Sequence, residues 1–229
     1  MADSIIPPVD GRSLRAPALA VAAVVVFFGV PGLGGEALDL WCQRLFWDGR
    51  AWLIPHEHPL GLALAYDGPK ALIIIWALLL IFAAFFAKRV RVRALYLLAC
   101  LALVAVVCTQ LRAVTGMATP LELREFGGAH EHLLLFQAKP PGYPSHAFPA
   151  GHASGGFALI GLSWVLPARR WRGWALGLVV GGTMGLYQMA RGEHFLSHTL
   201  ATLALAWLLC AGLAWLMRGR LLREVSSSS

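Results

Sequence analysis

The chain has 229 residues, of which 58% are hydrophobic and 14% charged, and its formal net charge at pH 7 is +7. A soluble domain contains about 45–50% apolar residues, so this composition indicates an integral membrane protein. We interpret the positive charge as a membrane-topology signal rather than an affinity for nucleic acid, and we expect no nucleic-acid partner.

Six apolar runs are long enough, or extendable by a turn or two, to cross a hydrocarbon core about 30 Å thick. They lie at residues 18–30, 71–87, 94–114, 155–166, 174–189 and 195–217. These runs predict an all-α, polytopic protein with six transmembrane helices in one membrane domain, residues 18–217. A flexible lead-in at 1–17 and a tail at 218–229 flank it. The first run lacks a small-x-small cleavage site, so we do not expect a cleavable signal peptide.

The segment after the first span predicts an amphipathic helix lying in the membrane interface. Leu38, Trp41 and Leu45 recur at helical intervals beside Asp39. We expect the tryptophans of this segment at headgroup depth; they are Trp41, Trp47 and Trp52. Such a helix either anchors the chain in the interface or guides a lipid headgroup.

Basic residues predict the orientation, because Lys and Arg are retained on the cytoplasmic side. The short basic connections at 88–93 and 169–172 share a side with both termini, and that side holds 12 of the 19 basic residues and three of the 12 acids. We therefore expect both termini in the cytoplasm. All eight histidines then lie on the other side: His56, His58, His130, His132, His146, His152, His194 and His198.

Two histidine triplets in the outer loops, His56-Glu57-His58 and His130-Glu131-His132, have two interpretations. Imidazole and carboxylate groups suit zinc, so the triplets are candidate metal ligands. Chance pairing in polar loops is the better explanation, because nothing in a turn fixes the side chains on one face.

The stretch at 191–198 concentrates polar residues between two apolar runs. His194 and His198 are four residues apart, so at a helix start their rings share one face. Such a pair suits a nucleophile with an orienting partner, two metal ligands, or a helix cap.

Two further features indicate an anion site. Arg112 lies near the outer end of the third span, where a charge is costly unless it lines a polar cavity. The turn Pro149-Ala150-Gly151 leads into a helix start, where free backbone amides favour an anion such as phosphate. His152 follows at a position suited to donating a proton. The glycines at 155 and 156 are explained equally well by close helix packing.

Three outer-face elements together resemble the type 2 phosphatidic acid phosphatase superfamily. Its pattern is Lys, six residues, Arg-Pro; then Pro-Ser-Gly-His; then Ser-Arg, five residues, His, three residues, Asp. This sequence has Arg112, six residues and Thr119-Pro120; then Pro149-Ala150-Gly151-His152; then Tyr187-Gln188, five residues, His194, three residues and His198. The resemblance covers about residues 70–217.

The resemblance implies a catalytic role for three histidines. His194 would attack phosphorus to form a phosphohistidine, His152 would protonate the leaving oxygen, and His198 would orient His194. Phosphate would be bound by a further set: Arg112, Thr119, Gly151, Gln188 and Arg191. No metal and no other cofactor is expected for this chemistry.

Five of the departures from the family pattern bear on the mechanism. Arg112 replaces lysine, Thr119 and Gln188 replace arginines, Ala150 replaces serine and His198 replaces aspartate. Arg191 lies three residues after Gln188 and is a candidate for its lost charge. A histidine at 198 supplies no fixed negative charge, so a weaker or differently tuned nucleophile is expected.

The resemblance also implies a substrate and a location. The substrate would be a membrane amphiphile with a phosphate at headgroup level, of the undecaprenyl pyrophosphate, lipid A or phosphatidic acid type. The site would face the periplasm from a bacterial inner membrane. Two alternatives stay open: a lipid phosphotransferase using the same intermediate, and a catalytically silent lipid-binding or transport protein on this scaffold.

Overall fold

The computed structural model describes residues 11–55, 61 and 63–226, and every regular element in these residues is helical. The α-helices are α1 (Arg15–Gly29), α2 (Gly35–Arg44), α3 (Gly68–Phe86), α4 (Arg91–Thr115), α5 (Ser154–Ala158), α6 (Leu162–Val165), α7 (Arg170–Ala190) and α8 (Leu196–Ser226). A π-helical turn, Ala63–Asp67, leads into α3, and a 3-10 turn, Gly151–Ala153, leads into α5.

Four helical stretches of the described residues are long and apolar enough to cross a membrane. They are Gly11–Gly29, Gly68–Phe86, Lys88–Glu122 and Leu196–Glu224. They coincide with the first, second, third and last predicted spans, so the chain is a multi-pass, all-helical membrane protein.

The other two predicted spans have a different character. The run at 155–166 is broken into α5, a 3-10 turn at Leu159–Gly161, and α6. The run at 174–189 lies within the single helix α7. This helix contains glycine at every fourth position from Gly173 to Gly185, and its first turn contains Arg170 and Arg172. Glycine and arginine lower the mean hydropathy of α7, so six spans stay a prediction.

Glycines let α7 pack directly on the broken helix. A Cβ on Gly156 would lie 2.6 Å from the Cα of Gly181, closer than real contacts allow. Small residues of this kind let helix backbones approach in a membrane. The close contact places the start of α5, and therefore His152, beside the C-terminal half of α7.

The segment predicted as an interfacial amphipathic helix is helical as α2, and its position in the interface stays a prediction. Its buried side carries polar residues. Asp39 is 4% exposed and Gln43 is fully buried, whereas Trp41 and Leu45 are 57% and 62% exposed. Buried polar groups need partners. The Asp39 carboxylate accepts a hydrogen bond from the Ser197 backbone N–H (2.8 Å), and the Gln43 amide donates to the Met189 carbonyl (2.7 Å).

Two of the three tryptophans pack within the protein. The ring centroids of Trp47 and Trp52 are 5.0 Å apart, and that of Trp52 is 5.3 Å from that of Phe126. Trp52 also covers Gly192, which has a φ of +75°. These aromatic rings brace the connection between α7 and α8.

Candidate functional site

Backbone and hydroxyl hydrogen bonds tie the two histidine-bearing segments together. The Ala150 N–H donates to the His198 carbonyl (3.1 Å). The Thr202 hydroxyl donates to the carbonyls of Ala150 (3.1 Å) and His198 (3.0 Å). The turn carrying His152 and the first turn of α8 are thereby fixed to each other.

The three histidines predicted as catalytic form one contiguous row. The ring centroids of His152 and His194 are 5.6 Å apart, and those of His194 and His198 are also 5.6 Å apart. His194 is 2% exposed and His198 is fully buried. Edge-on contacts of the His198 ring with Phe148 and Phe195 fix its plane.

His194 and His198 meet through their Nδ1 atoms, which are 3.4 Å apart. Two neutral imidazoles can share this contact when one Nδ1 carries the proton and the other accepts it. If His194 donates, its Nε2 keeps a free lone pair. Among the described residues the buried Nε2 of His194 has no hydrogen-bond partner. Its lone pair is therefore not taken up by another group of the described residues.

Burial keeps the site histidines neutral. It lowers the pKa of His194 well below its ordinary value, and the neighbouring His198 and His152 lower it further. Burial, followed by the charges of Arg112, Arg191 and Lys70, lowers the pKa of His152 to about 4. His194 thus has the unprotonated form that a nucleophile needs at neutral pH.

Arg112 lies against the turn that carries His152. Its Nε donates to the His146 carbonyl (2.6 Å). A Cβ on Gly151 would lie 2.9 Å from Arg112 Nη1, so glycine at 151 gives the guanidinium room. Arg112 and Gly151, both predicted to bind phosphate, are thus neighbours, and their binding of phosphate stays a prediction.

Arg191 is buried at the end of α7, with Nη1 donating to the Gln188 Oε1 (3.3 Å) and its guanidinium 5.4 Å from the centroid of the Tyr187 ring. Its charge is close enough to lower the pKa of His152. Gln188 therefore orients the cation that lies three residues further along the chain. Direct contact of either side chain with phosphate stays a prediction.

Thr119 has a local partner. Its backbone N–H and its hydroxyl both donate to the Glu122 carboxylate, at 2.7 and 2.9 Å, and so cap the short turn Pro120–Glu122. These bonds fix the backbone of the outer loop. A role for Thr119 in binding phosphate stays a prediction.

A cavity of about 420 Å³ opens beside His152, between α3, α4 and the start of α5. Its polar lining comprises Tyr66, Lys70, Thr109, Arg112, His152 and Ser154. Its apolar lining comprises Ile73, Ile74, Ala105 and Met184. The lining thus combines basic groups with hydrocarbon groups, which fits an amphiphilic anion. His152 lines this cavity, and His194 lies behind it.

The histidine triplets do not assemble a metal centre in the part of the chain that is described. Glu131 pairs with Arg124, whereas His132 lies against Phe195 and 3.4 Å from Glu36. His130 packs on Tyr143. The other triplet, at 56–58, lies outside the described residues.

Four residues of the site region were missed by sequence reasoning. Lys70 and Tyr66 line the cavity, and the Lys70 Nζ lies 5.7 Å from the centroid of the Tyr66 ring. The Tyr66 ring packs edge-on against His152, with ring centroids 5.0 Å apart. Asp39 and Gln43 bind the backbone on either side of Arg191 and His194. Lys70 had a detectable signal, because under the predicted topology it is a lysine at the non-cytoplasmic end of a span, against the retention of basic residues in the cytoplasm.

The fold and the site define a class: a helical membrane protein with a histidine and arginine cluster at one end of its bundle. The family model of the PAP2 superfamily matches residues 93–222, more than half of the chain. The chain belongs to the PAP2 superfamily, that is, the type 2 phosphatidic acid phosphatase superfamily. This confirms the family resemblance that its three motifs predicted. No curated protein matches the sequence.

A solved structure is similar over nearly the whole chain. It is the crystal structure of a transmembrane PAP2-type phosphatidylglycerolphosphate phosphatase from Bacillus subtilis. The TM-score is 0.61 at 13% identity, covering 90% of this chain and 96% of that chain. At this identity the likeness shows the shared fold.

Proposed function

We propose that the protein is a membrane lipid phosphatase that removes phosphate from a lipid phosphate or pyrophosphate. The observation that carries this proposal is the row His152, His194 and His198 beside an amphiphilic cavity lined by Arg112. The basic groups of the lining bind the phosphate and its apolar groups accept the start of a lipid chain.

In the first step the Nε2 lone pair of His194 attacks phosphorus, forming an N–P bond while the bond to the leaving oxygen breaks. His152 gives its proton to that oxygen. A phosphate dianion counters the charges of Arg112, Arg191 and Lys70, which raises the pKa of His152 from about 4. Substrate binding therefore favours the protonated acid.

In the second step water attacks the phosphohistidine. His152, now neutral, takes the proton from water, the N–P bond breaks and inorganic phosphate leaves. Arg112 and Arg191 are the cations that stabilise the charge on the equatorial oxygens in both transition states. This scheme uses no metal.

We also propose the topology that the charge distribution predicts: six spans, both termini in the cytoplasm and the site at the periplasmic face of a bacterial inner membrane. Under this topology α2 lies in the outer interface with Trp41 and Leu45 towards lipid, which fits their exposure. The substrate is a phosphorylated amphiphile of the undecaprenyl pyrophosphate, lipid A or phosphatidic acid type.

The proposal is tested by phosphate release from a panel of these lipid phosphates in detergent. The parent is compared with His194→Ala and His152→Ala, and His130→Ala serves as a control because His130 packs on Tyr143 away from the histidine row. We expect release by the parent and the control, and loss of about 10³-fold or more in His194→Ala. Binding without release by the parent would instead favour the silent lipid-binding alternative, and transfer of phosphate to an added lipid alcohol would favour the phosphotransferase.

A further inference from the structure

A second cavity of about 420 Å³ lies between α3, α7 and the α5–α6 segment. We call it the tail groove. Its lining is almost entirely apolar and includes Leu72, Ile73, Trp76, Leu159, Leu176 and Val179. Leu72 and Val179 are 67% and 64% exposed, so the groove opens on the outer surface of the helix bundle.

Ile73 connects the tail groove with the cavity at His152, because its side chain lines both. A Cβ on Gly155 would lie 3.1 Å from Ile73 Cδ1, so the isoleucine packs directly on the turn after His152. On α7 the neighbours Thr183 and Met184 line the tail groove and the His152 cavity respectively. The Ile73 side chain is therefore a boundary that the two spaces share.

The tail groove runs away from the basic residues. Along α3 its lining extends from Pro69 to Trp76, a rise of about 10 Å at ~1.5 Å per residue. Lys70 and Arg112 line the neighbouring cavity only. A molecule that spans both spaces must therefore be anionic at one end and hydrocarbon at the other.

We propose that the tail groove binds the hydrocarbon chain of the lipid phosphate whose headgroup lies at Arg112 and His152. The inference rests on the proposed function and adds a specificity determinant to it: chains long enough to pass Ile73 gain contact with Trp76 and Leu176. Each further CH₂ group there packs against fixed side chains in place of mobile detergent or lipid chains. Long-chain substrates are thus bound more tightly than short-chain substrates with the same headgroup.

The chain offers a matched pair of variants for the test. Leu176 and Leu178 lie on the same helix and are 43% and 44% exposed, but only Leu176 lines the tail groove. Leu176→Trp fills the groove, and Leu178→Trp adds the same bulk outside it. Val179→Trp is a second groove variant at a more exposed position. Each protein is measured with a short-chain and a long-chain form of one phosphatidic acid in the same detergent.

We expect Leu176→Trp and Val179→Trp to weaken binding of the long-chain form, and to lower its kcat/KM, by about tenfold. The short-chain form and the Leu178→Trp control should be unchanged. An equal loss of kcat/KM for both chain lengths, or an equal loss in Leu178→Trp, would overturn the inference. The groove would then be a surface that contacts bulk membrane lipid. Binding is measured separately from phosphate release, so a chain-length effect on binding without any release would reject the proposed function and keep the groove.

Discussion

The Asp39 carboxylate on α2 accepts a 2.8 Å hydrogen bond from the backbone N–H of Ser197, in the first turn of α8 and next to His198. The start of a helix leaves backbone N–H groups without partners, and a carboxylate there is favoured by the helix dipole. Gln43, one turn further along α2, binds the Met189 carbonyl at the end of α7. Helix α2 thus holds both ends of the connection that carries Arg191 and His194.

We expect Asp39→Ala to destabilise the protein by about 1–3 kcal/mol, because the buried Ser197 N–H loses its acceptor. Phosphate release should fall with it, since the same turn positions His198. Asp39→Asn keeps an acceptor oxygen and should retain most of the stability. Thermal unfolding and phosphate release of the three proteins check this prediction, and equal unfolding temperatures for parent and Asp39→Ala would contradict it.

Asp39 also predicts a pH dependence of stability. Burial raises its pKa from 3.8 to about 7, so between these values the folded state holds a proton that the unfolded state has lost. The Asp39 contribution to stability is therefore complete below pH 4 and is lost as the pH rises to 7. Asp39→Asn does not lose stability in this way. The difference between its unfolding temperature and that of the parent should therefore increase by several degrees between pH 4 and pH 7. A constant difference across this range would reject the assignment.

Sequence patterns predicted the four long apolar helices and the family, because apolar length and motif spacing are local properties of the chain. They also named three histidines that the fold places in one row, whose catalytic role stays a prediction. They did not predict the role of α2. Its amphipathic pattern predicts an apolar face that contains Leu38 and Trp41. Tertiary contacts instead bury Asp39 and Gln43 against the backbone of the site. Contacts such as Asp39 with Ser197, 158 residues apart, leave no periodic signal.

Gly192 is the backbone position at which substitution should disturb the site most. Its φ of +75° is unfavourable for L side chains, and a Cβ there would lie 2.5 Å from the Trp52 ring. We expect Gly192→Ala to cost about 1–3 kcal/mol and to displace Arg191 and His194, lowering phosphate release. Gly182→Ala is the matched control, because no atom lies within 4 Å of its added Cβ. Similar unfolding temperatures for the two variants would contradict this view of the turn.

Lys70 lines the His152 cavity without a role in the family motifs. We expect Lys70→Gln to raise KM for a lipid phosphate about tenfold with little change in kcat, because an ammonium at the cavity wall attracts the phosphate before the chemical step. Lys70→Arg should restore KM, since it restores the charge. Lys88→Gln, at an exposed position in the connection between α3 and α4, is the control. Equal KM values for Lys70→Gln and the control would remove Lys70 from the site.

His198 is the position at which the motif aspartate can be restored. An Asp Oδ atom branches from Cγ as Nδ1 does in histidine, so in His198→Asp it would lie near the present Nδ1, 3.4 Å from His194 Nδ1. A carboxylate there accepts the His194 proton and stabilises the charge that develops on the ring during attack. Because hydrogen bonds to charged groups contribute more than neutral ones, we expect kcat to rise about tenfold in His198→Asp. His198→Asn supplies an oxygen without the charge and should not show the gain. Steady-state kinetics of both variants test this, and a rise of equal size in His198→Asn would show that shape, not charge, limits the present nucleophile.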